Sequence, residues 1–160
     1  MPFVATANPP DSGKEQPVQN DGWFPDMDPA QVRAACRLDG TVTTDRLIPA
    51  LQAAMLSVNS ELRGWQAAQR AAGHENLADI PAPALGGQSA LLLHYQRAVH
   101  ACLQADLMEA YRNLSTLPDG SGKEQRVLEA VVVQIDEQRR KQRWAISDLL
   151  GIPRSTVELI

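Results

Sequence analysis

Residues 43–73 read TTDRLIPALQAAMLSVNSELRGWQAAQRAAG. Leu47, Leu51, Ala54, Val58, Leu62 and Trp65 recur every three or four positions, which is the period of one helical face. Thr43 or Thr44 caps the start, and Gly73 supplies the stop, because glycine turns left-handed without a Cβ penalty. Pro49 lies near the first turn and predicts a slight bend. Trp65 is expected in the core.

Outward from this stretch the pattern repeats. A helix beginning at Gln88 or Ser89 carries Leu92, Tyr95, Val99, Leu103, Ala110 and Leu114 on one stripe, flanked by Leu91, Ala98, Ala101, Ala105 and Met108. A helix apolar around so much of its girth is expected at the centre. A third long helix follows Ser121 with Leu128, Val131, Val132 and Ile135. It turns polar from Gln138 to Arg143, regains apolar residues at Trp144, Ala145, Ile146, Leu149 and Leu150, and stops at Gly151. A short helix precedes all three, with Asp28 as N-cap, Pro29 at its first position and Gly40 after Leu38 as its end. Leu77 to Gly87 holds Pro81, Pro83, Gly86 and Gly87 and marks a long connection; Pro118 to Gly122 marks a turn-rich loop.

The predicted fold is therefore all-α: an antiparallel helical bundle of three long helices plus one short, with extended N- and C-terminal arms. Aromatics make up 4% of the 160 residues, so the core must be built from Leu, Val, Ile and Ala, which favours helix over sheet. Residues 1–22 form a flexible N-terminal arm, since Met1 to Asp21 shows no hydrophobic period and holds four of the eleven prolines. Residues 23–151 form the helical bundle, and residues 152–160 an extended C-terminal tail.

Charge and motifs narrow the function. A net charge of −4 and a pI near 5.3 give no general attraction to DNA. No apolar run is long enough to cross a bilayer, and no basic-then-apolar leader opens the chain, so it is expected to stay in the cytoplasm where it is made. Cys36 and Cys102 sit among apolar neighbours on helices and read as reduced core filler. His74, His94 and His100 lack metal-ligand spacing, and there is no phosphate-cradling loop or nucleophile elbow. The expectation is no catalytic residue, no metal and no cofactor. Asp106, a carboxylate within the helix that begins at Gln88 or Ser89, is expected to pair with a basic side chain or face a subunit contact.

Two features suggest contacts instead. Arg139, Arg140, Lys141 and Arg143 cluster on the last helix, suited to DNA phosphates or an acidic rim on a partner, or to a solvated face offset by Asp136 and Glu137. Ala145, Leu149, Leu150, Gly151, Ile152, Ser155, Thr156 and Val157 imitate a helix-turn-helix, with Gly151 in the turn and Arg154 opening the recognition helix. Fewer than two turns remain before Ile160, and the overall charge is wrong for a DNA reader, so a small DNA-binding protein ranks as the alternative. Trp23 and Phe24, followed by Pro25, together with Trp144, are candidate anchors at subunit or partner contacts, where large aromatics dominate binding.

Several separated stretches share an order and spacing with one family. They are Phe24 to Pro29, Val32-Arg33, Arg37-Leu38, Thr41-Val42, Arg46-Leu47, Asn59, Glu61-Leu62, Ala71 to Gly73, Leu77 to Ala82, Tyr95, Arg97 to Val99, Ala101 and Arg143 to Ile146, with a closing isoleucine. From Trp23 onward the chain resembles the head completion proteins of P2-like contractile-tailed phages, the product of gene L. The N-terminal arm and residues 113–123 do not match that pattern. The resemblance implies a ring of copies, a dodecamer matching the portal, that docks beneath the portal protein after DNA packaging. The ring would keep the genome from leaking and offer a docking surface to the neck or tail-completion protein. Packaged DNA would pass the lumen without sequence-specific binding and without any membrane partner. The location implied is the virion head–tail interface, reached from the host bacterial cytoplasm. In similar adaptors the C-terminal tail inserts into the portal, which here implies portal-binding roles for Pro153, Arg154, Thr156, Val157, Leu159 and Ile160. The weak alternation of that tail suits adding a strand to a partner's sheet.

Overall fold

Asp28 starts the first helix as its sequence predicts: it is extended, and its carboxylate accepts the Ala30 amide at 2.9 Å, with Pro29 at the first helical position. The computed structural model describes residues 15–114 and 122–154, with side chains throughout except at 113, 114 and 122–128. Within it lie α1 (Pro29–Cys36), α2 (Thr44–Ala71), a small hairpin of β1 (Ala84–Leu85) and β2 (Gln88–Ser89), α3 (Ala90–Leu114) and α4 (Gly122–Leu150). The protein is mostly α, as expected. The hairpin is an addition that straddles the end of the predicted long connection: β2 takes Gln88 and Ser89, where the helix was expected to begin, and α3 starts at Ala90. Gly86 and Gly87 both take positive φ, +57° and +79°, which a two-residue hairpin turn of this twist requires.

Three helices end on the same device. After α2, His74 N donates to Gln69 O (3.1 Å) and Gly73 N to Arg70 O (3.0 Å), with Gly73 at φ +97°. After α4, Ile152 N donates to Ser147 O (3.0 Å) and Gly151 N to Asp148 O (3.3 Å). These paired bonds satisfy carbonyls that a helix end would otherwise leave bare. After α1, Leu38 N donates to Arg33 O and Arg37 N to Ala34 O, and the left-handed residue is Arg37, at φ 52°. The predicted stop at Gly40 is thus pre-empted three residues early. A non-glycine residue in this conformation costs about 1–2 kcal/mol, partly offset by glycine's larger loss of chain entropy. Arg37→Gly is accordingly expected to stabilise the protein by about 0.5–1 kcal/mol. A thermal melt would show this as a higher Tm; a lowered Tm would mean that the Arg37 side chain holds the turn.

The stripe read from residues 43–73 is buried: Leu47, Leu51, Ala54, Val58 and Leu62 are fully covered, with Met55 beside them, and Trp65 is half-buried against the core. Thr43 caps α2 through its backbone alone, and Pro49 falls inside the helix, where Asp45 O has no N–H to accept. α3 is the central helix, packed against α1, α2 and α4. Tyr95, Val99 and Leu103 are buried on its stripe, with Ala98, Ala101, Cys102 and Ala105 on the flanks. Ala110 is exposed, so the stripe stops short of the predicted end. α4 buries Ile135, Ala145, Ile146 and Leu149, whereas Val132 and Val133 are exposed. The expected apolar face of its first half therefore lies partly outside the core, because α3 opposite it has turned to half-buried residues such as Leu107 and Met108.

Residues 15–22, expected to belong to the flexible arm, are folded from Glu15 onward. Val18 and Met27 exchange backbone bonds of 2.8 and 3.0 Å, and both side chains are buried. Asp21 accepts the amides of Trp23 and Phe24 and the Gln66 side chain at 2.7–2.9 Å. Although burial opposes the charge, these donors hold its carboxyl below the ordinary range. Residues 1–14 lie outside the described residues.

Candidate functional site

Asp148 stands in the last turn of α4, where a carboxylate meets the negative end of the helix dipole. Two arginines and an imidazole face it. Arg154, six residues on and across the Gly151 turn, donates from Nε to Oδ1 (3.0 Å) and from its terminal nitrogen to Oδ2 (2.6 Å). Arg97 of α3 reaches Oδ2 at 3.4 Å, and His94 Nδ1 lies at 4.0 Å. Arg154 also lies over the Trp144 ring at 5.1 Å, as does Arg140. This clasp fixes the direction in which the chain leaves α4. Of the predicted C-terminal contact residues, Pro153 and Arg154 are placed here, Pro153 exposed and Arg154 clasped; Thr156, Val157, Leu159 and Ile160 lie outside the described residues.

Arg154 holds the Asp148 carboxyl below the usual range despite some burial, with His94 and Arg97 adding to the effect. A depressed carboxyl stabilises its contact above its ordinary value and loses it as pH falls through the depressed one. The clasp should therefore stay closed at neutral pH and open only in acid. The Trp144 indole N–H resonance is expected to shift only as pH falls below the ordinary carboxylate range. Asp148→Asn should hold the acid position at every pH; a pH-independent signal in the original chain would show that the clasp does not close in solution.

The predicted aromatic anchors separate. Trp23 and Phe24 are only 1% and 3% exposed, so they have no surface to offer a partner and are core residues instead. They stack edge-to-face with each other, Trp23 meets Trp65 edge-on, and Phe24 lies parallel to Tyr95 at 4.7 Å. The reason is local: Asp21 turns the chain so that both rings point at α2 and α3. Trp144 remains partly exposed, at the clasp.

The basic cluster also divides. Arg139 turns toward α3 and pairs with Asp106 at 2.7 Å and Glu109 at 3.1 Å. It is spent inside the molecule, and Asp106 has the basic partner expected of it. Lys141 pairs with Glu137 one turn back, at 3.0 Å. Arg140 and Arg143 are the exposed members. Cys36 and Cys102 are buried free thiols; burial pushes Cys36 up to about 11 and raises Cys102 too, so neither is poised for reaction. Among the described residues no group of His, Cys, Asp and Glu could hold a metal ion, and no helix is long and apolar enough to cross a membrane.

Asp148 was not singled out in the sequence, and His94 and Arg97 were named there without this role. The available signal was an acidic residue in a helix's last turn, which calls for a nearby cation. The helix-turn-helix pattern is not realised over its described part. Residues 152–154 are non-helical, and Arg154, cast as the first residue of a recognition helix, folds back onto α4.

Residues 18–160 match the family model described as phage head completion protein (GPL). The match begins at Val18, where the first backbone bridge forms. Over 152 residues, 95% of this chain and 88% of the relative, the sequence is 38% identical to the "Head completion/stabilization protein" of Escherichia phage P2. No solved structure matches.

Proposed function

The chain belongs to the family of phage head completion proteins, and from that membership we propose that it closes the head as a ring of copies beneath the portal. It is a structural protein of the phage head and not an enzyme. In the proposed role the ring retains the packaged DNA and presents its far side to the neck or tail-completion protein, at the virion's head–tail interface. Assembly takes place in the host cytoplasm, before the ring joins the head. The portal contact is the segment that follows Gly151, beginning with Pro153 and Arg154.

The observation that carries this reading is the end of α4. The helix is closed by paired backbone bonds, and Arg154 is held on Asp148 and Trp144. Such a stem gives the following residues a defined heading, which lowers the ordering entropy that an added strand or inserted tail must overcome on binding. The acidic net charge suits a lumen through which DNA passes without sticking. The DNA-reading alternative draws no support from the site, because its key arginine is already paired.

The test uses DNA-filled heads made without this protein. Adding the full chain is expected to make their DNA resistant to nuclease, and the chain truncated after Gly151 is expected to give no resistance at the same concentration. Equal protection by both would move the contact off the tail. Protection by neither would reject head closure as the activity.

A further inference from the structure

An open groove of about 770 Å³ lies where the α1–α2 loop and the start of α2 face the end of α3 and the first half of α4. Val42, Pro49, Leu107, Met108, Tyr111 and Val131 form its walls, so it is mainly apolar. Asp45, Arg46 and Asp106 stand at its edges. Its size falls in the range of ligand and peptide pockets. The clasp lies at the other end of the α3–α4 pair, so the groove is a separate surface.

Glu15, the first described residue, lies on the neighbouring face of α2, beside Thr44 and Ile48, and is joined to the groove wall through Arg33. The Glu15 carboxylate accepts Thr44 Oγ1 at 2.6 Å and Arg33 at 2.8 Å, and is only 7% exposed. Arg33 in turn donates to the carbonyl of Val42, a wall residue, at 2.6 Å. Residues 1–14 read MPFVATANPPDSGK. Phe3 and Val4 are bulky apolar residues near its start, and Ala5 to Lys14 separate them from the Glu15 anchor. That spacer can span about 33 Å when extended. A tether of this length holds its end at roughly millimolar effective concentration over nearby surface.

We propose that the groove is the docking site of the chain's own N-terminal segment, with Phe3 and Val4 seated between α2 and the α3–α4 pair. The Glu15–Arg33 contact is the fixed end of the strap, and the apolar pair is its latch. Seating it covers the half-buried aliphatic walls that the helices leave open. The short tether favours the segment's own groove over that of a second copy.

The test places p-benzoylphenylalanine at position 3 of the full chain, irradiates it and maps the products by mass spectrometry. The expected adduct is within one chain, at Met108, Tyr111 or Val42, with a yield independent of protein concentration. A second measurement is amide exchange on the full-length Phe3→Ser, Val4→Ser variant, whose groove needs no alteration and whose core is untouched. Exchange over residues 107–111 is expected to rise several-fold, with the buried face of α2 unchanged. Adducts between chains, adducts scattered away from the groove, or unchanged exchange would each overturn the proposal.

Discussion

Trp23→Ala is expected to lower the unfolding free energy by about 3–5 kcal/mol, the usual loss for truncating a buried tryptophan. Trp23 is 1% exposed and touches both Phe24 and Trp65. Its indole N–H donates to His74 O at 3.1 Å, just past the end of α2, and its carbonyl accepts the Leu77 amide at 3.0 Å. The residue therefore ties the N-terminal loop to the end of α2 and the turn that follows it at Leu77–Asp79, some fifty residues further on. Truncation opens a cavity and strips a carbonyl of its donor at once. Urea unfolding reads the loss directly. A loss below about 1 kcal/mol would show that residues 15–27 unfold independently of the helices.

Tyr95→Phe is expected to cost about 1–3 kcal/mol although it removes a single oxygen. The Tyr95 hydroxyl donates to Asn59 Oδ1 at 2.7 Å and accepts from Asn20 Nδ2 at 2.8 Å, while Asn59 Nδ2 donates to Asn20 Oδ1 at 2.8 Å. The three side chains close a ring of bonds between the N-terminal loop, α2 and α3. Burial raises the hydroxyl's pKa well above its ordinary value, so it remains a donor at any accessible pH. The phenylalanine ring keeps the stack on Phe24, which isolates the hydroxyl's contribution. A double-mutant cycle with Asn59→Ala should show coupling of at least about 0.5 kcal/mol. Additive effects would mean that the bonds act separately.

The helices were legible because their signals are local. The three-four spacing of Leu47 to Leu62, the Asp28-Pro29 start and the glycines at 73 and 151 each act within a turn or two of their own position. The misreadings came from long-range partners. Residues 15–21 look like linker until Asn20 finds Tyr95 and Glu15 finds Arg33. Trp23 and Phe24 look like surface anchors until Asp21 turns them inward. Arg139 to Arg143 look like one patch, yet a helix points successive residues in different directions, and Arg139 meets Asp106 of α3. Arg37 carries no sequence mark of a left-handed stop, and it displaces the one at Gly40. The clasp at Asp148 could be read only as an unfavourable charge at a helix end, with its partners unassigned.

In the role we propose, this head completion protein engages the portal through the segment beyond Gly151. A pull-down with portal rings from the same phage tests it most directly, comparing the full chain with one truncated after Gly151. The full chain is expected to be captured and the truncated one at least a hundredfold more weakly, about 2.7 kcal/mol of binding free energy. Capture of neither chain, with duplex DNA bound instead, would contradict it.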